Sequence, residues 1–359
     1  MLGAAAGLAA GGFAPSGLRL STQTKRDLWR RASGPHLRGA VFVQRRIYRE
    51  LDGPRFLGPG QFGPPTSDDA LARLADAGGN LASWSGPGLF AEGGAFNLDA
   101  SVEDHIGTWL DRCRSRGLFT TLCFRSGPGR SAFAFHPGES WYPSRLYDVS
   151  VWRDDEKQAA WAEMVAQSFA RFGDHPALAG IVAVEEPNGA DLGHRDAWPR
   201  FAQRIVRQVK AQALDRHTPL LLSPDRWARA EAASTLRDAV GEEVALVLHD
   251  YQPWDYTHQS QAESVRFDPR CIDDRDSEEL SGDWAMLEFG AVRHAPGLVQ
   301  YLDHRIERWE RLGANWAAFR WDSGWQPYES QEGLMAVNRH RAALARLQAA
   351  FAHNLRRPN

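Results

Sequence analysis

Residues 179–188 read Ala179-Gly180-Ile181-Val182-Ala183-Val184-Glu185-Glu186-Pro187-Asn188. The run from Ala179 to Val184 carries no polar side chain. It is too short for a helix and fits a strand covered on both faces, as in a parallel sheet. It stops at two carboxylates and a proline. Helical patterns flank it, Asp154 to Phe172 before and His194 to Leu214 after. A buried strand between two amphipathic segments is the repeating unit of an α/β sheet.

The same alternation runs along the chain in both directions. Leu37 to Val43, Asn80 to Trp84 and Leu118 to Phe124 read as the first three strands. Thr66 to Ala77 reads as a helix with Thr66 or Ser67 as N-cap and Gly78 as its stop. Leu98 to Arg116 reads as a helix closed by Gly117. Beyond the fourth strand come Pro219 to Ser223, Val244 to Leu248, Trp284 to Leu287 and Trp316 to Phe319. Leu298, Leu302, Ile306, Trp309 and Leu312 form one apolar stripe on a helix that Gly313 ends. Leu334 to Phe351 reads as the closing helix. Eight strands with intervening helices predict a single (β/α)8 barrel over residues 31–359. Residues 1–30 are expected to form a signal-like or disordered segment. Met1 to Ser16 is Ala/Gly-rich and mildly apolar, like the core and cleavage region of a secretory signal though without its positive start, and export to a secreted or periplasmic location is the expectation.

Composition narrows the function classes. The chain has 359 residues and a formal net charge of -3, with no basic block to suggest nucleic-acid binding. No apolar run is long enough to span a membrane. Three cysteines, Cys113, Cys123 and Cys271, make neither a disulfide framework nor a zinc pattern. His136, His194 and His294 show no ligand spacing, so no metal and no cofactor is expected. The 14 Trp are a heavy load. Trp presents a large flat apolar face on which a sugar ring can stack. Trp84, Trp141, Trp254 and Trp325 fall near strand ends and are candidate platforms. Trp109, Trp161 and Trp309 fall in helices and are expected to pack.

In such barrels the chemistry gathers where strands end. The fourth strand ends in Glu185-Glu186-Pro187-Asn188, the sixth in His249-Asp250-Tyr251 and the seventh in Glu288-Phe289-Gly290, and the eighth leads into Arg320-Trp321-Asp322. Carboxylates at the ends of strands four and seven would face each other across the mouth. Cleavage of a glycosidic bond needs that pair, one to protonate the leaving oxygen and one to attack the anomeric carbon.

These endings resemble those of the clan A glycoside hydrolases, most closely family 5. Glu186-Pro187 is similar to the family's Asn-Glu-Pro, which implies that Glu186 is the acid/base. Glu288-Phe289-Gly290 is similar to its Glu-Phe-Gly, which implies that Glu288 is the nucleophile. His249 and Tyr251 resemble its His-x-Tyr, with the Tyr bonded to the nucleophile. Trp321 resembles the tryptophan that floors the −1 sugar. The stretch Phe172 to Gly180 resembles the family's approach to the fourth strand, and the likeness extends from about Leu37 to Phe351.

The chain also departs from that pattern. Glu185 stands where the family has Asn, Ser83 where it has Arg, and Arg125 where it has a strand-three His. The −1 site is therefore expected to be rebuilt. Glu185 would suit a cationic 2-amino sugar, and Arg125 a uronic carboxylate. Glu185, Arg125, Asn188, His249, Tyr251, Trp254 and Trp321 are the expected substrate contacts. The resemblance implies a retaining β-glycosidase acting on an oligosaccharide or polysaccharide. A carbohydrate-binding barrel without catalysis and a transglycosylase remain open alternatives.

Overall fold

In the computed structural model, residues 24–48, 51, 66–323 and 334–359 are described. Eight strands close into one parallel barrel in sequence order, β1 to β8. They are β1 Arg38–Val43, β2 Leu81–Pro87, β3 Phe119–Ser126, β4 Leu178–Val182, β5 Leu220–Leu222, β6 Ala245–His249, β7 Trp284–Phe289 and β8 Trp316–Ala318. Every residue in them is buried, because helices cover the outside and side chains fill the inside. The expected fold is the one observed.

Local signals place the helices. Ser67 caps Asp68–Asp76, its hydroxyl accepting from the Ala70 amide. Asp99 caps Ala100–Ser115, and Asp154 caps Asp155–Phe172. Gly78 and Gly117, the expected stops, take φ of 93° and 66°, where glycine carries no Cβ penalty. Trp109, Trp161 and Trp309 pack inward as expected. The three cysteines are free, with Cys113 and Cys123 buried.

Some elements differ from expectation. Strand β2 runs on to Pro87, and β7 continues to Phe289, so Glu288 lies inside the strand. A helix at Ala233–Val240, not foreseen, covers the sheet between β5 and β6. The last helix occupies only Arg341–Phe351. The chain before it turns back on the barrel, where Arg320 exchanges backbone bonds with Met335 and Val337. Toward the N-terminus, Lys25–Trp29 forms a short helix with Leu28 and Trp29 buried. The Trp29 indole donates to the Ala179 carbonyl at 2.9 Å, so the packed body includes residues ahead of 31. Among the described residues no helix is long and apolar enough to cross a membrane.

Candidate active site

At the carboxyl ends of the strands lies a cavity of about 1240 Å³. Its floor is built from Arg125 at the end of β3, Glu185 and Glu186 just past β4, His249 of β6, Glu288 of β7 and Phe319 just past β8. The loops after β3 and β6 wall it, presenting Phe135 and Trp141 on one side and Tyr251, Trp254 and His258 on the other.

The register of the sheet brings the key groups together. His249 and Glu288 are paired neighbours on β6 and β7. Nδ1 of His249 lies 2.8 Å from Oε1 of Glu186 and 3.4 Å from Oε2 of Glu288. The Tyr251 hydroxyl donates to Oε2 of Glu288 at 2.8 Å. Glu186 adopts φ of 45°, the left-handed region that a residue with a Cβ seldom visits. Such strain, on the order of 1–3 kcal/mol, persists where surrounding contacts impose it.

The electrostatics follow from burial. Burial alone would lower the His249 pKa, but Glu288, the bonded Glu186 and Glu185 outweigh it and raise the value to about 9. Burial pushes Glu288 up to about 8, with the charges of Glu185 and Glu186 adding to it and those of His249 and the Tyr251 bond opposing it. His249 and Glu288, 3.4 Å apart, thus each hold a proton more tightly than a free side chain would, and the protonation of one depends on the other. At neutral pH the balanced state has His249 charged and one carboxyl protonated.

Glu186, His249 and Glu288 offer one ligand atom each within 4.8 Å of one another, a spacing a metal ion could use. In this arrangement the imidazolium supplies the positive charge between the two carboxyl groups. The donors are directed at one another.

Glu185 and Arg125 both line the cavity, yet they answer each other. Glu185 accepts from the Ser85 hydroxyl at 2.6 Å and lies 3.8 Å from Arg125, whose Nη1 also donates to Ser85 at 3.2 Å. Burial raises the Glu185 pKa against the lowering pull of Arg125 and Ser85. The two charges of the rebuilding expectations therefore lie side by side on the cavity, each facing the other across Ser85.

Three expectations need correction. Trp321 is buried, outside the cavity lining, with its indole donating to the Ala70 carbonyl at 3.0 Å. Phe319 takes the strand-eight place in the lining. Asn188 is fully buried, accepting from Trp152 at 3.1 Å and donating to Ala134, so it braces the loop after β4. Trp84 is sealed inside the barrel wall. Ser83, where the family has Arg, is buried and bonds Thr121 at 2.8 Å. Trp325 lies outside the described residues. Trp141 and Trp254 stand exposed on the cavity wall, and Trp254 stacks on His258 at 3.6 Å.

Sequence reading missed Trp227, Phe135 and Arg130. Trp227 follows β5 in a turn where Arg226, Trp227 and Ala228 all have positive φ. The Trp227 amide donates to the Pro187 carbonyl at 2.9 Å, and Asp225 accepts from the amides of Ala190 and Arg226. These bonds hold the turn beside Glu186 and place the Trp227 ring on the cavity. The strand-end rule, applied after Ser223, was the signal that could have found it.

No family model matches the chain, and no curated protein matches it in sequence. Solved structures do match in fold. A crystal structure titled as a glycoside hydrolase aligns over 88% of this chain and 99% of its own, at 16% identity and a TM-score of 0.64. The Pseudomonas stutzeri endoglucanase Cel5A aligns over 90% of this chain and 97% of its own, at 17% identity and 0.62. Thermotoga maritima Cel5A, solved with mannotriose, aligns over 87% of this chain and 97% of its own, at 14% and 0.61. At these identities the likeness is one of fold: the chain is a (β/α)8 barrel of the kind found in glycoside hydrolases, the kind its strand endings resemble.

Proposed function

We propose that the protein is a retaining β-glycoside hydrolase of oligosaccharides or polysaccharides, with Glu186 as acid/base and Glu288 as nucleophile. The observation that carries this is the spacing of the pair. One oxygen of each lies within 4.8 Å of the other. Retaining pairs stand about 5–5.5 Å apart, while inverting pairs need about 6.5–9.5 Å to admit a water between them.

The surrounding groups divide the roles. The Tyr251 O–H favours the ionised form of Glu288 and orients the oxygen that attacks. His249 bridges the two carboxyl groups through one nitrogen. Nδ1 can first give its proton to Glu186 and then, as a neutral acceptor, take the proton that burial favours on Glu288. That transfer leaves Glu288 anionic and Glu186 acidic, the state from which the first step starts. Glu288 then bonds the anomeric carbon as Glu186 protonates the leaving oxygen. Water, deprotonated by Glu186, later releases the sugar. The cavity exceeds the roughly 300–1,000 Å³ of ordinary ligand pockets. Its exposed aromatic faces suit stacked sugar rings.

The test is the stereochemistry of the first product, read by proton NMR of a β-glycoside digest in fresh enzyme. The β-anomer appearing first is expected. An α-anomer first would mean inversion and would remove the nucleophile role from Glu288.

A further inference from the structure

Arg130 is fully buried, and among the described residues its hydrogen bonds go to main-chain carbonyls. Nη1 donates to the carbonyls of Arg125 at 2.9 Å and Glu185 at 2.7 Å, and Nη2 donates to the carbonyl of Glu186 at 2.9 Å. The turn Gly127–Arg130, closed by reciprocal backbone bonds of 2.9 Å, swings the side chain back under the end of β3. Phe135 lies 4.6 Å and Trp152 6.0 Å from the guanidinium carbon by ring centroid.

Burying a cation costs heavily unless its donors are satisfied. Here main-chain oxygens at the catalytic strand end meet the two terminal nitrogens, while Nε has no partner among the described residues. Successive carbonyls of a strand point to opposite edges. Those of Glu185 and Glu186 both face Arg130, which requires the chain to turn at Glu186, where φ is 45°. We infer that Arg130 is a positioning residue for the acid/base: by tying the Glu185 and Glu186 carbonyls to the end of β3, it holds Glu186 in its left-handed conformation and aims the carboxyl at His249. A planar fork spreads its donors over two nitrogens in one fixed plane and so sets the direction of the carbonyls it meets, whereas an ammonium group carries its donors on one freely rotating atom. Burial lowers the Arg130 pKa to about 10, with Glu185 and Glu186 opposing that shift, so the group stays charged at neutral pH.

The inference rests on the proposed roles of Glu186 and Glu288, and two readouts separate its failure from theirs. Arg130→Lys and Arg130→Gln are compared with wild type on aryl β-glycosides of graded leaving-group acidity. A displaced acid matters only where the leaving group needs a proton. The phenyl glycoside should lose about 100-fold in kcat/KM and the dinitrophenyl glycoside about 3-fold or less, with KM little changed. The second readout needs no activity. The His249 imidazole, titrated by NMR, should drop by about one pH unit in either variant, because Glu186 no longer meets Nδ1. Loss of activity independent of leaving group, or an unchanged His249 titration, would overturn the inference. If both variants failed to fold, Arg130 would be a structural brace and the inference would fall. A wild type without glycosidase activity would instead remove the functional reading and leave Arg130 to be judged by the His249 titration.

Discussion

At the scale of single residues, the site turns on hydrogen bonds to groups whose charge changes during the reaction. The Tyr251 hydroxyl donates to the very oxygen of Glu288 that also faces His249. A hydrogen bond to a charged group contributes about 1.5–3 kcal/mol. Tyr251→Phe should therefore lower kcat/KM about 10- to 100-fold without loss of folding, measurable by steady-state kinetics beside a melting curve. His249→Gln removes the proton bridge between the carboxyl groups. It should cost about 100-fold or more on substrates with poor leaving groups. Trp227 is held at the cavity edge by its own backbone. Trp227→Ala should raise KM for longer oligosaccharides about 3- to 10-fold, the worth of one stacked ring. A monosaccharide glycoside should be turned over nearly as before, and equal effects on both would argue against a distal platform.

At the scale of elements, the two ends of the barrel do different work. Trp29 lies against the start of β4 with its indole bonded to Ala179, far along the strand from Glu186. Trp29→Ala should cost about 3–5 kcal/mol of stability, read from the denaturant midpoint, while activity per folded molecule stays unchanged. The elements themselves were legible because their signals are local. The apolar run Ala179 to Val184, the stripe Leu298 to Trp309, and the stops at Gly78 and Gly117 each need only neighbours in sequence. The gathering of Glu186, His249, Tyr251 and Glu288 on one cavity was legible too, since the strand-end rule places such groups on one face. What was not legible depends on backbone direction at single positions. Whether Trp321 and Asn188 point to the cavity or away depends on turns that composition does not encode. Arg130 could not be found because its partners are carbonyls, which every residue has.

At the scale of the molecule, folding gathers three carboxyl groups around one imidazole, and that has a consequence for stability. Both His249 and Glu288 bind their protons more tightly folded than unfolded. The stabilisation from His249 is fully present below its ordinary value of 6.5 and is lost as pH rises through about 9. Glu288 acts in the same direction, losing stabilisation as pH rises from its ordinary 4.5 through about 8. The melting temperature should therefore fall as pH rises from about 5 to 9. His249→Gln should flatten the upper half of the curve. A melting temperature that rose over this window would contradict the charge arrangement described for the site.

The central claim is that Glu288 forms a covalent bond to the sugar. The most direct measurement is intact mass after incubation with activated 2-fluoro β-glycosides of several sugars, with Glu288→Gln alongside. The account predicts a single added glycosyl mass on the wild type, located on Glu288 by peptide mapping, and none on the variant. An adduct mapped to another residue, or an active enzyme that never accumulates one, would contradict it.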